Sequence, residues 1–260
     1  MIDKLPKNVR YLLREVGLAM CQYSGSISDT LIGPFFFLKG VATMRVLTRL
    51  DRCIIEIDKA LRTIIPPQQR HSQRDLFTTS PETIDISPPL SLVDKKHVAG
   101  LMRVNHAGEV CAQALYQGQA LTAELQHIRS QLEQAAHEET EHLAWCEQRL
   151  RELHSHPSLL NPIWYFGSLV IGIAAGLAGD KWSLGFVAET ERQVSAHLQS
   201  HIAKLPPQDK RTRIILEQMH SDETAHAHLA ERSGAAQLPY VIQKLMQFTA
   251  KLMTKTSYYF

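Results

Sequence analysis

Cysteine is scarce and dispersed: Cys21, Cys53, Cys111 and Cys146 are the whole complement, and no two form a CxxC pair. That spacing excludes a zinc knuckle, a thioredoxin-type redox motif and a disulfide scaffold, and it fits a reducing compartment. Charge of one sign is also lacking, with a formal net of +2, so no broad electrostatic case exists for a nucleic-acid partner. The N-terminus lacks the charged, apolar, small-residue pattern of a cleaved leader, because Gly33 to Leu38 is too short an apolar run. Strand signals are few. The composition, 44% hydrophobic and 21% charged, speaks against wholesale disorder.

Helical periodicity fills most of the chain. Residues 1–43 stand apart as an extension of unassigned role, and Met44 is a candidate native start. Over 44–66, Leu47, Leu50, Ile54, Ile57, Leu61 and Ile64 recur at helical spacing until Pro66-Pro67 ends the pattern. Residues 67–90, rich in Pro, Ser, Thr and Gln, read as a linker. The main domain, 91–260, predicts helices at roughly 91–121, 128–153, 163–179, 182–204, 209–232 and 238–254, broken by Pro157, Pro162, Gly179-Asp180, Pro206-Pro207 and Gly234. The expected fold class is all-α.

Four Glu-x-x-His pairs occur: Glu124/His127, Glu139/His142, Glu217/His220 and Glu223/His226. Residues three apart share one helix face, so each pair alone could be a solvated surface. Geometry separates them. Two ligands of one centre in an antiparallel hairpin must stand nearly equidistant from its turn. Taking Pro206-Pro207 as the turn, Glu191 and Glu223 differ by about 1.5 Å along the axis, whereas Glu217 is misplaced by roughly 7.5 Å. The first half repeats the pattern: Glu109 and Glu139 are 30 residues apart, Glu191 and Glu223 are 32 apart, and Glu124 falls at the middle of the first hairpin.

These acidic residues sit within apolar stripes. Glu191 lies in the middle of Leu184, Val187, Val194, Leu198 and Ile202, and Glu139 and His142 lie among Leu132, Ala135, Leu143, Cys146 and Leu150. Ionised carboxylates in a core are costly unless neutralised. Two divalent ions would balance the four carboxylates, and two neutral imidazoles would complete the ligand sets; a buried salt-bridge network is the alternative. One glutamate from each of two helices and Glu-x-x-His from the other two is the di-iron or di-manganese arrangement of ferritin-like four-helix bundles. The expected metal ligands are therefore Glu109, Glu139, His142, Glu191, Glu223 and His226. Of the flanking Glu138, Glu141, Glu189 and Asp222, the last is placed to orient a ligating histidine.

At these residues the chain resembles the demethoxyubiquinone hydroxylase family, membrane-associated di-iron monooxygenases of ubiquinone biosynthesis. The resemblance is carried by Leu101-Met-Arg-Val-Asn-His-Ala-Gly-Glu109, Ala114-Leu-Tyr-Gln-Gly-Gln119, Glu139-Thr-Glu-His-Leu143, Gly185-Phe-Val-Ala-Glu-Thr-Glu191 and Asp222-Glu-Thr-Ala-His226. It runs from about residue 44 to the C-terminal Met253-Thr-Lys-Thr-Ser-Tyr-Tyr. It implies the same six ligands, two iron ions per chain, and O2-dependent hydroxylation of a ring carbon of a polyprenylated 3-methyl-6-methoxy-1,4-benzoquinol. It also implies an outer role for His197; Leu198 stands where many members carry a tyrosine, so no phenol is carried over there. A ferritin-type iron store, a rubrerythrin-like peroxidase, a tRNA-modifying hydroxylase and a non-catalytic scaffold are the competing readings.

Ile163–Gly179 is an uncharged run of 17 residues, at the lower limit for a membrane span. A true span would separate the two hairpins that must share a site. The favoured reading is an additional apolar helix packed on the bundle through Gly172 and Gly176, followed later by a C-terminal helix, with one face in the membrane interface and Trp164 and Trp182 near its ends. Leu169 and Ile173 are the expected exposed positions. The implied location is peripheral, on the cytoplasmic face of the inner (cell) membrane, with other proteins of ubiquinone biosynthesis as further partners.

Overall fold

The structure is a computed structural model that describes residues 48–67, 70, 72–74, 76 and 89–260. The extension 1–43 and the candidate start at Met44 lie outside those residues. Seven helices and no strand occur among them, each within a few residues of the sequence-predicted helix.

Helix α1 is Arg49–Ile64, opened by a capping box between Thr48 and Asp51. Helices α2 (Leu92–Thr122) and α3 (Gln126–Glu152) form one long hairpin, and α5 (Asp180–Lys204) and α6 (Lys210–Arg232) form a second. Between the hairpins in sequence runs α4 (Asn161–Leu177), and α7 (Tyr240–Ser257) closes the chain. The second hairpin turns at Pro206-Pro207, where Asp209 caps α6 by accepting the Thr212 N–H at 3.0 Å. The first turns at residues 123–125 with neither Pro nor Gly. There the Asp180 carboxylate, from the other hairpin, accepts the N–H of Glu124 at 3.1 Å and of Leu125 at 2.9 Å.

The core has two apolar layers across the bundle and a third cluster of Val110, Ala114, Leu143 and Tyr165, against which Leu169 of α4 packs. One layer contains Met102, Trp145, Leu150, Leu198, Leu216 and Met219; the other layer contains Tyr116, Ile128, Leu132, Leu184, Val187 and Ala230. On every bundle helix the expected ligand positions fall between the residues of the first layer and those of the second. The hydrophobic layers thus seal a polar one from both ends.

Helix α4 lies against α2 through glycine. A Cβ on Gly118 would stand 2.6 Å from the Leu169 carbonyl oxygen, and one on Gly172 would strike the Leu115 carbonyl. Only glycine lets the two backbones approach this closely. Leu169 and Ile173 lie on this packed side. The exposed apolar residues of α4 are instead Ile163, Phe166, Val170, Ile171 and Leu177, which corrects the sequence expectation. The sequence-predicted linker is corrected in part as well: Arg70, Ser72, Gln73, Arg74 and Leu76 pack on the bundle.

Candidate metal centre

Helix α2 brings Glu109, α3 brings Glu139 and His142, α5 brings Glu191, and α6 brings Glu223 and His226. All six are buried, with exposures from 0% for Glu139 and His142 to 8% for His226. They form two overlapping groups. Glu109, Glu139, His142 and Glu223 make one, Glu139, Glu191, Glu223 and His226 the other, and within each group the donor atoms lie inside 4.8 Å of one another. Glu139 and Glu223 belong to both groups, as residues that bridge two ions would. Glu124 and Glu217 belong to neither.

The imidazoles point the same way. His142 Nδ1 lies 3.0 Å from Glu139 Oε2 and 3.1 Å from Glu223 Oε1, and His226 Nδ1 lies 3.3 Å from Glu223 Oε2 and 3.4 Å from Glu139 Oε1. Both Nε2 atoms point outward to a carboxylate: His142 to Asp222 at 3.0 Å, His226 to Glu138 at 2.7 Å. An Nε2–H bonded outward would leave the Nδ1 lone pair for an ion at the centre once the proton shared with the carboxylates is displaced. Sequence reasoning found Asp222 and missed the equivalent role of Glu138. The signal was present, because each directly precedes the glutamate of an ExxH pair.

Tyr116 was missed as well. Its hydroxyl donates to Glu191 Oε1 from two turns along α2 beyond Glu109. His197 is not brought to the cluster; its ring lies 3.9 Å from that of His201, further along α5.

Burial and mutual repulsion divide the six groups. Burial, reinforced by Glu139, drives Glu109 well above the usual carboxylate range, and burial with Glu223 does the same to Glu191. Burial also opposes ionisation of Glu139 and Glu223, but the adjacent imidazoles outweigh it and hold both below that range. Burial disfavours charge on the imidazoles, yet the carboxylates raise His142 well above its usual value and His226 to about 12. The cluster therefore balances its charge by sharing protons.

The residues fit divalent metal ions. Glu139 Oε1 and Glu223 Oε1 are fully buried and accept no well-directed hydrogen bond, their nearest polar neighbours being His226 Nδ1 at 3.4 Å and His142 Nδ1 at 3.1 Å. Two unsatisfied carboxylate oxygens at the shared residues of a sealed layer are costly in an ion-free design and are what metal coordination would satisfy. Carboxylate oxygen with imidazole nitrogen suits iron or manganese.

Beside Glu191 a narrow crevice, too tight to hold a water molecule, runs between α2 and α5, lined by Ala112, Leu115, Tyr116, Gln119, Val187, Thr190 and Glu191. Leu115 also forms the surface on which Gly172 of α4 rests, so the crevice adjoins the apolar helix.

Residues 96–257 match the family described as Ubiquinone biosynthesis protein COQ7. A 3-demethoxyubiquinol 3-hydroxylase of Legionella pneumophila (strain Corby) is 61% identical over 216 residues, covering 83% of this chain and all of that protein. A protein of the same description from Acinetobacter baumannii (strain ATCC 17978) is 56% identical over the same extent.

Proposed function

The chain belongs to the family of Ubiquinone biosynthesis protein COQ7, and from that premise we propose that it hydroxylates a ring carbon of 3-demethoxyubiquinol, a polyprenylated methoxy-benzoquinol. The single observation that carries the chemistry is the pair of overlapping ligand groups sharing Glu139 and Glu223. In this reading two iron ions are held by Glu109, Glu139, His142, Glu191, Glu223 and His226. When bound, adjacent irons supply reduction of dioxygen and its activation for insertion into a ring carbon.

The protein's own contribution is placement and exclusion. Asp222 and Glu138 fix the tautomer and rotation of the two imidazoles. Tyr116 holds Glu191 by a hydrogen bond and offers a proton at Oη beside the crevice. The two apolar layers keep bulk water from the polar one. Ala112, Leu115 and Val187 give an apolar wall to the crevice beside Glu191, which has to widen before a quinol ring can enter.

A lipid-dissolved tail calls for contact with lipid. No helix is long and apolar enough to cross a membrane among the described residues. Three helices instead expose apolar side chains in rows: Leu50, Ile54, Ile57 and Leu61 on α1, Ile163, Phe166 and Val170 on α4, and Val241, Leu245, Phe248 and Leu252 on α7. Rows of this kind suit helices lying in a membrane interface, which supports peripheral attachment to a membrane.

Quinone profiling of cells lacking the gene tests the function. Accumulated demethoxyubiquinone, cleared by the wild-type gene and not by one encoding Glu223→Ala, is the expected result. Normal ubiquinone in the deletion strain would overturn it.

A further inference from the structure

The two halves of the centre are built alike but held differently. His142 is oriented by Asp222, whose side chain is 17% exposed. His226 is oriented by Glu138, whose side chain is 42% exposed. Asp222 receives a hydrogen bond from Arg74 at 2.8 Å and from Gln218 at 2.9 Å. Glu138 receives one from Gln134 at 3.1 Å, and no lysine or arginine pairs with it among the described residues.

Arg74 comes from outside the four-helix bundle and outside the residues matched to the family. Its guanidinium lies 4.8 Å from the centroid of the Trp145 ring, and that ring in turn lies 5.3 Å from the His142 ring. The backbone that carries it is fastened to α3. Glu141 accepts the N–H of Gln73 at 2.9 Å and of Arg74 at 3.2 Å, as well as the Ser72 hydroxyl. Trp145 Nε1 donates to Ser72 Oγ at 2.8 Å, and Leu76 packs on the adjoining apolar layer.

We propose that Arg74 is a positioning residue that makes the two metal positions unequal: by pinning Asp222, it lets the position of Glu109, Glu139, His142 and Glu223 take a divalent ion more tightly than the position served by His226. The inference rests on the metal reading above.

An isolated, partly exposed Arg–Asp pair contributes little, because ordering two side chains offsets its attraction. Here the ordering is supplied by Glu141, Ser72 and the Trp145 face, so the pair costs less to hold. Asp222 fixed between a guanidinium and an imidazole does not turn to water, and the His142 ring keeps one tautomer and one angle. Glu138 must hold His226 against solvent. A guanidinium also repels a nearby cation, but Arg74 is 43% exposed and water screens that repulsion, while the orienting contact is direct.

The test is titration of the metal-stripped full chain with Co²⁺, read by calorimetry and by the visible d–d bands. Wild type should bind two ions with separable affinities. Arg74→Gln should weaken the tighter one by about 10-fold, the lower end for loss of an outer hydrogen-bonding partner, and leave the weaker one unchanged. Arg74→Lys, which keeps a cation for Asp222, should recover part of the loss. Glu138→Gln should weaken only the second position. Melting curves of the stripped proteins check folding, and where Arg74→Gln is unfolded, Asp222→Asn carries the comparison with the same selective loss expected. Two equal wild-type affinities, or an Arg74→Gln chain in which neither or both positions weaken alike, would overturn this inference alone. A wild-type chain that binds no Co²⁺ overturns the metal reading and this inference with it.

Discussion

His142 Nε2 and Asp222 Oδ2 lie 3.0 Å apart, and the bond between them crosses from the first hairpin to the second. Its counterpart, from His226 Nε2 to Glu138 Oε2 at 2.7 Å, crosses back. Each half of the sequence repeat therefore orients the other half's imidazole, and neither hairpin builds a complete site alone.

The hairpin register makes a sharp mutational contrast. Replacing Glu109, Glu139, Glu191 or Glu223 by Ala should take hydroxylation to background and iron content below two per chain. Glu217→Ala should retain both, since that side chain is 56% exposed and pairs with Arg213, at 4.0 Å. Glu124→Ala, in the hairpin turn, should behave likewise. Iron analysis of the purified variants decides; a Glu217 variant as metal-poor as the Glu223 variant would mean that the register is wrong.

Metal binding should strengthen as pH rises. Glu109 and Glu191 have raised values, as do His142 and His226, so these four groups hold their protons to higher pH than free side chains do, and an incoming cation must displace them. Each proton released steepens the dependence of affinity by up to about tenfold per pH unit. Calorimetric titrations in buffers of different ionisation enthalpy, from about pH 6 to about pH 8, measure the release directly. An affinity flat across that range would contradict the proton-sharing cluster.

His197 and His201 should make the fold acid-sensitive independently of the metal. Burial, then the neighbouring charges, holds His197 at about 4 and His201 at about 3, against 6.5 for a free imidazole. Folded values below the unfolded one mean that this stability is full above pH 6.5 and is lost as pH falls towards 4 and 3. Each group then forfeits at most about 1.4 kcal/mol per pH unit. His201 Nδ1 lies 2.8 Å from Asn105 Oδ1, a contact that Gln can imitate, so His201→Gln should flatten the loss between pH 6.5 and 5. Thermal melts of the two proteins over that interval test it; parallel slopes would remove His201 as a cause.

The two sides of α4 should respond oppositely to charge. Phe166→Asp with Val170→Asp, on the exposed side, should release the protein from liposomes and leave its iron in place. Each Asp costs about 2.5–3.5 kcal/mol at full bilayer depth and less near the headgroups. Leu169→Asp with Ile173→Asp, against α2, should unfold the packing and lower the melting temperature instead. Flotation with iron analysis reads both, and an exposed-side pair that still floats with vesicles would refute the membrane role of α4.

The ligand set was legible because helical rise is a fixed length: once Pro206-Pro207 located one turn, height alone selected Glu223 over Glu217. The first turn, which has no Pro or Gly, was placed only through the repeat, at Glu124, and its cap was not legible, since Asp180 lies 56 residues from Glu124. Tyr116 and Arg74 escaped for the same reason, as their partners belong to other helices and depend on docking, whereas Glu138 was marked by its place directly before Glu139. The face of α4 could have been assigned. Gly172 and Gly176 mark the side of close approach, and Leu169 and Ile173 lie one turn from Gly172 or beside it on that side, so an outward Leu169 contradicted a signal already in the sequence.

The glycine contact between α2 and α4 also acts as a length standard. Gly172 rests on Leu115, and Leu115 stands six residues from Glu109 on the same unbroken helix, about 9 Å of rise. No loop intervenes to stretch or relax that interval. The contact with α4 and the ligand Glu109 therefore keep a fixed axial offset along α2. A Gly118→Ala or Gly172→Ala change would push α4 off that mark, because the approach is of backbone against backbone.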